Sequence, residues 1–204
     1  MVILLGASGY VGQAFLKNLQ QRGEKFLALS RKEIDYTRFD VLLDLLRNQK
    51  PEFLINAAGY AGKPNVDACE TARADALQGN TLFPQTVAHA CLAAGVPWGH
   101  VSSGCIYAGA KIGESSQERI EKDLTLPEFK SKIEAVDPTF QIRGFTETDP
   151  PNFSFRNGPC SFYSGTKALA EEAISGVGQN YLCRLRIPFD EIGNARNFLF
   201  KIQS

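Results

Sequence analysis

A doubly wound α/β fold, with a parallel sheet between layers of helices, is the class that three observations in this sequence predict. The apolar run Val2–Leu5 suits a strand buried on both faces of a parallel sheet. It passes directly into Gly6, Gly9 and Gly12 and then into a helical pattern over residues 11–19, so strand, glycine turn and helix follow in order. Short apolar strands then alternate with helical segments along the chain, as expected for parallel strands joined by crossovers.

The chain has 204 residues, 44% of them hydrophobic, and a formal net charge of zero. That is enough apolar content for one domain with a substantial core. Without a basic block, neither nucleic acid nor an anionic membrane is expected as a partner. Cys69, Cys91, Cys105, Cys160 and Cys183 are scattered with no CxxC pair, which reads as reduced thiols rather than a disulfide or zinc framework. His89 and His100 lack ligand spacing, so no metal site is expected. Met1 leads straight into the first strand and no apolar run approaches a membrane span. These features predict a cytoplasmic chain without a signal peptide or membrane helix.

In the first turn, Gly6 permits the tight bend, Gly9 lets backbone approach a pyrophosphate, and Gly12 lets the helix pack on the strand. Residues 25–30 read as the second strand. Arg31 follows it where dinucleotide folds read the adenosine ribose, and a guanidinium there suits a 2′-phosphate, favouring NADP(H). Asp35 lies near enough to keep NAD(H) as the alternative, and a solvated loop charge is the plainer reading of Arg31. Residues 39–46 form an amphipathic helix that stops before Pro51. Residues 52–56 are the next strand and open into Ala57, Ala58 and Gly59, small enough for a cofactor to lie across the backbone. Residues 66–94 read as one long helical region. Within it, Asn80 is either a solvated polar residue or a bridge to nearby backbone.

Trp98–Ser103 reads as the fourth strand. From residue 108 to about 159 the pattern dissolves into charged, proline-containing sequence, with one helical candidate near 126–136. So long an irregular stretch predicts an insertion or an active-site lid. Residues 161–174 are helical again, and residues 181–187 form a strand before Pro188. Tyr163 and Lys167 are four apart and share one helix face. An ammonium beside a phenol would lower the phenol's pKa, making Tyr163 a general acid towards a carbonyl oxygen that receives hydride. Ser103, at the carboxyl end of its strand, could hold the same oxygen.

These motifs resemble the extended short-chain dehydrogenases/reductases of the nucleotide-sugar branch. The spacing GxxGxxG, Asn56-Ala-Ala-Gly59, the run from Pro64 to Glu70, Gly79-Asn80, Ser102-Ser103 and the Tyr163/Lys167 pair are shared with dTDP-4-dehydrorhamnose reductases. A closer resemblance is to the bifunctional 3,5-epimerase/4-reductases of rhamnose synthesis. It is carried by Gly62-Lys-Pro-Asn-Val-Asp67, Gly104-Cys-Ile106, Asp149-Pro-Pro-Asn-Phe153, Phe162-Tyr-Ser164, Arg186-Ile-Pro188 and Arg196-Asn-Phe198.

The resemblance implies a Rossmann domain over residues 1–204, with an insertion near 111–142 and the start of a substrate-binding part near 188–204. Relatives continue further, so the substrate domain is truncated or supplied otherwise. The implied cofactor residues are Gly6, Ser8, Gly9, Tyr10, Val11, Gly12, Arg31, Ala57, Ala58, Gly59, Tyr163, Lys167 and Pro188. Cys105 and Asn197 are implied to bind a nucleotide-sugar substrate, and Ser103, Tyr163, Lys167, Cys105 and Lys201 to act in catalysis. Simple reductases have an aromatic residue where this chain has Cys105, whereas the bifunctional family has the cysteine and a lysine matching Lys201. A C4 ketone acidifies the C3 and C5 hydrogens, so a thiol and an amine could exchange them. A packed thiol at 105 and a surface charge at 201 are the plainer readings. The alternatives kept open are a plain 4-reductase and a non-catalytic NADP(H)-binding module. Helices 66–94 and 161–174 correspond to the pair that relatives use to dimerise.

Overall fold

The computed structural model describes residues 1–114, 117–135, 140–189, 191, 197 and 202. Its centre is a five-stranded sheet in the order β2-β1-β3-β4-β8, every neighbouring pair parallel. The strands are β1 (Val2–Leu5), β2 (Phe26–Leu29), β3 (Phe53–Asn56), β4 (Trp98–Ser103) and β8 (Asn180–Leu185). β1 sits inside the sheet and is buried from both sides. Ile3 and Leu5 join the larger core with Leu42, Leu46, Val87, Trp98 and Ile174, while Leu4 joins Ala7 and Leu19 on the other face. This is the doubly wound class expected from the sequence.

The helices that make the larger face are α2 (Phe39–Gln49), α4 (Phe83–Ala94) and the far end of α6 (Phe162–Ile174). α1 (Tyr10–Gln21) supplies the smaller face through Leu19, Phe15 and Leu16. Lys50 closes α2 in the left-handed region, immediately before Pro51. Among the described residues, no helix is long and apolar enough to cross a membrane.

Two expectations are corrected. Residues 66–94 do not form one helix. They divide into a 3-10 turn at Val66–Glu70, the short α3 (Arg73–Leu77), a π turn at Gln78–Leu82 and α4. Asn65 starts the first turn by accepting the Asp67 backbone N–H, and Pro84 lies in the first turn of α4, where its missing N–H costs nothing. The stretch beyond residue 108 is irregular only in part, over residues 144–159. β5 (Ala110–Glu114), β6 (Gln117–Glu121) and β7 (Phe140–Arg143) make a separate antiparallel sheet ordered β6-β5-β7, accompanied by α5 (Pro127–Glu134). On it, Phe129 of α5 stacks against Phe140 with ring centroids 6.0 Å apart, and Ile112 is buried.

The ends of this excursion are fastened together. Asn152 accepts the Ala108 N–H and donates to the Ala108 carbonyl, both at 2.9 Å, and the Phe153 N–H donates to the Ile106 carbonyl at 2.9 Å.

Candidate active site

The carboxyl ends of β1, β3, β4 and β8 open into one cavity of about 400 Å³. Such a crevice at the strand ends is where open α/β sheets bind ligands. Of the residues predicted to hold a cofactor, Gly9, Tyr10, Val11, Ala57, Ala58, Gly59, Tyr163, Lys167 and Pro188 line it, as do the catalytic candidates Ser103 and Cys105. Gly6, Ser8, Gly12, Arg31 and Asn197 do not line it, and Asn197 is buried. Lys201 lies outside the described residues. No described residue of 110–143 lines the cavity, so the described part of the insertion is not a lid over it.

The glycine turn owes its shape to contacts that a side chain would block. Gly6 has φ +79°, and a Cβ there would lie 2.5 Å from the Ala58 nitrogen. A Cβ on Gly12 would lie 2.0 Å from the Gly6 carbonyl oxygen. Gly9 then caps α1 without a side chain, and no acidic residue occupies the helix's first turn. The helix N-terminus is therefore a cradle for an anion, with the partial positive charge of the helix dipole behind it. Buried Asn56 supports the opposite wall, accepting the Ala58 N–H at 3.0 Å while its amide donates to His100 Nδ1 at 3.2 Å. Burial holds His100 well below its ordinary pKa, so it stays neutral.

Asn80 takes the bridging role. From the π turn it accepts the Tyr60 N–H and donates to the Tyr60 carbonyl, each at 2.8 Å. It also donates to Thr166 at 3.3 Å, tying the loop after β3 to α6. A Cβ on Gly59 would stand 3.2 Å from Asn80 Oδ1 and 3.4 Å from Lys167 Nζ, so the glycine admits both groups to the floor of the cavity.

Ser161 begins α6 by accepting the Ser164 N–H, and Glu70 accepts the Phe162 N–H at 2.6 Å. These caps fix the helix turn that carries Tyr163. The phenol lies beside Ser103, whose Oγ accepts the Cys105 N–H at 3.1 Å. Serine, tyrosine and the thiol turn Gly104–Ile106 therefore converge on one point of the cavity wall. Arg186 holds that turn from outside by donating to the Gly104 and Tyr107 carbonyls at 2.8 and 3.2 Å.

The electrostatics differ from the sequence expectation. Burial raises the Tyr163 pKa, and the neighbouring Ser103 only partly opposes it. Lys167 instead donates to the Val101 carbonyl at 3.2 Å, and burial pushes its own pKa down to about 8. The ammonium is bonded to that neutral carbonyl, and burial is the influence that dominates at the phenol. Tyr163 thus keeps its proton, which is the state a general acid requires. The cavity lining contains no carboxylate and two cationic side chains, Lys167 and Arg186, which suits an anionic ligand.

Outside the cavity, Tyr36 is buried with its hydroxyl against the Gly6 backbone and Arg31 near it. The neighbouring acids are occupied locally: Glu33 accepts the Ser30 N–H and hydroxyl at 2.9 and 2.7 Å, and Asp35 accepts the Thr37 N–H at 3.3 Å. Sequence reasoning did not single out Tyr36, Glu70, Glu171 or Arg184. Only Glu171 left a readable signal, because it follows Lys167 by the same four residues that separate Lys167 from Tyr163.

The family described as RmlD substrate binding domain matches residues 1–204. A bifunctional dTDP-4-dehydrorhamnose 3,5-epimerase/dTDP-4-dehydrorhamnose reductase of Arabidopsis thaliana is 28% identical over 201 residues, 98% of this chain and 56% of the relative. The chain thus spans little more than half of that protein. Among solved structures, the UDP-rhamnose synthase from Acanthamoeba polyphaga mimivirus superposes with TM-score 0.73 at 22% identity, covering 98% of this chain and 61% of the other. A dTDP-4-dehydrorhamnose reductase from Bacillus anthracis, solved in complex with NADP, gives TM-score 0.66 at 18% identity over 99% of this chain and 58% of that one.

Proposed function

Because the chain belongs to the RmlD substrate binding domain family, we propose that it reduces the 4-keto group of a nucleotide-linked 4-keto-6-deoxyhexose, using NADPH. The observation that carries this reading is the convergence of Ser103, Tyr163 and Lys167 on a cavity bounded by an acid-free helix N-terminus. The dinucleotide would supply hydride when bound. The α1 N-terminus and the glycine turn would hold its pyrophosphate, and Ala57 to Gly59 would underlie it. Ser103 would orient the C4 oxygen by hydrogen bonding. Tyr163, protonated because burial disfavours its phenolate, would give that oxygen its proton.

The same reading assigns Cys105 to proton exchange at C3 and C5 before reduction, with Lys201 as its partner. Its support is the thiol's place in the cavity wall, on the turn that Ser103 and Arg186 hold. The experiment supplies the 4-keto sugar nucleotide and NADPH in heavy water. NADPH oxidation with deuterium at C3 and C5 is the expected result. Oxidation with deuterium at neither carbon would reduce the assignment to a plain 4-reductase, and no oxidation at all would overturn it.

Cofactor choice rests on Arg31. With Glu33 and Asp35 engaged in their own turns, this reading assigns the 2′-phosphate to the Arg31 guanidinium. Its charge-assisted bonds would contribute about 1.5–3 kcal/mol each. Arg31→Ala is therefore expected to weaken NADP binding by roughly ten- to a hundredfold and leave NAD binding nearly unchanged. Calorimetry with both dinucleotides checks this. Equal affinity of the unaltered protein for the two would show that another group reads the ribose.

A further inference from the structure

Lys167 is 5% exposed, and it donates to the neutral Val101 carbonyl. A buried ammonium so placed is costly unless a negative charge lies near. One turn further along α6, on the same helix face, stands Glu171, itself 6% exposed. Its carboxylate accepts Arg184 Nη2 at 2.8 Å and Nε at 3.2 and 3.1 Å, and it accepts the Ser102 hydroxyl. Arg184 is in turn fixed by donating to Tyr107 Oη at 2.7 Å and to the Glu147 carbonyl at 2.8 Å. The carboxylate is thus locked in place from β4 and β8, on Ser102, the neighbour of the Val101 whose carbonyl takes Lys167.

We propose that Glu171 is a positioning residue whose fixed carboxylate keeps the buried Lys167 ammonium charged and in place, with Arg184 and Ser102 holding that carboxylate. Burial lowers the lysine's pKa, and Glu171 is the main opposing influence. The other groups bearing on the ammonium are the Cys69 thiol, from the 3-10 turn below α6, and neutral His100, from β4. Around Glu171 the facing groups are Arg184 from β8 and, beyond the guanidinium, Tyr107. The assignment rests on reading Lys167 as part of the reductase site, but its test needs neither cofactor nor substrate.

The test is a nuclear magnetic resonance titration of lysine side chains in the whole chain, with the Lys167 signal identified by its loss in Lys167→Met. In the unaltered protein Lys167 is expected to titrate at about 8. In Glu171→Gln the midpoint should fall by about one pH unit, a tenfold weaker hold on the proton. The direction is diagnostic. A merely structural role would loosen the packing, hydrate the lysine and raise the midpoint towards its ordinary value. If Glu171→Gln does not fold, Glu171→Asp withdraws the charge by one methylene, and its midpoint should lie below that of the unaltered protein. A midpoint that stays or rises in the folded variant overturns the proposal. Failure of NADPH oxidation in the unaltered protein would instead count against the reductase reading.

Discussion

Tyr163→Phe is expected to lower kcat for NADPH-dependent reduction by about 10²–10⁴, the range for removing a positioned general acid. The substitution takes away one oxygen and keeps the ring, so packing beside the α6 caps should survive. Ser103 loses its phenolic neighbour but keeps the Cys105 N–H. Cofactor affinity should therefore change little while turnover collapses, and the two readouts are separable by fluorescence titration with NADPH and by steady-state kinetics. Because burial raises the Tyr163 pKa, loss of its proton would demand pH above the ordinary range of a phenol. A variant that turns over near the unaltered rate would remove Tyr163 from the chemistry.

The second large effect concerns the glycine turn. Gly12→Ala places a Cβ 2.0 Å from the Gly6 carbonyl oxygen, with the Gly6 carbonyl carbon at 2.8 Å and Ala7 Cα at 2.9 Å behind it. All three are backbone, so no side chain can swing aside. α1 has to move off β1, breaking the contacts that place Phe15, Leu16 and Leu19 over Leu4. The cost should reach the upper end of overpacking penalties, about 3 kcal/mol. For a chain of this size that lowers the melting temperature by roughly 6–12 °C. Dinucleotide binding should be lost as well, because the same displacement moves the helix N-terminus. Thermal unfolding and NADPH titration measure the two effects, and an unchanged melting temperature would contradict the close approach.

What was legible in the sequence follows from how each feature is encoded. The β1 turn and α1 were readable because buried strand, close approach and helix start each demand particular residues within twelve positions. Tyr163 and Lys167 were readable because helix geometry puts residues four apart on one face. The π turn at Gln78–Leu82 was not, since the sequence there suits an ordinary helix; its shape goes with the two-way bond between Asn80 and Tyr60. The three-stranded sheet was not legible because β5 and β6 mix charged residues with one isoleucine each, Ile112 and Ile120, and the alternation in β7, Phe140 and Ile142, spans four residues only. Apolar periodicity is then too weak to register. The direction of the Tyr163 shift is set by burial, while Lys167 donates to the Val101 carbonyl. Neither is a local property of the Tyr-x-x-x-Lys spacing. Arg184 reaches Glu171 from another strand, a pairing that only the sheet order creates.

The double clasp between Asn152 and Ala108 bears on how this chain tolerates change. With both ends of the excursion pinned to one another, and with Glu147 and Asp149 tied back to Arg184 and Tyr107, the length of the part carrying β5, β6, α5 and β7 is felt mainly through closure entropy. Doubling such a loop costs about 0.6 kcal/mol. The part carrying β5, β6, α5 and β7 can therefore lengthen, shorten or acquire a different small fold at slight thermodynamic expense, provided that Ala108 and Asn152 keep their mutual bonds and Glu147 keeps its bond to Arg184. The cavity at the ends of β1, β3, β4 and β8 has no residue of those four elements among its described lining. The clasp makes the excursion a natural place for one member of a family to diverge from another, or for an engineer to graft a new module onto an unchanged catalytic floor.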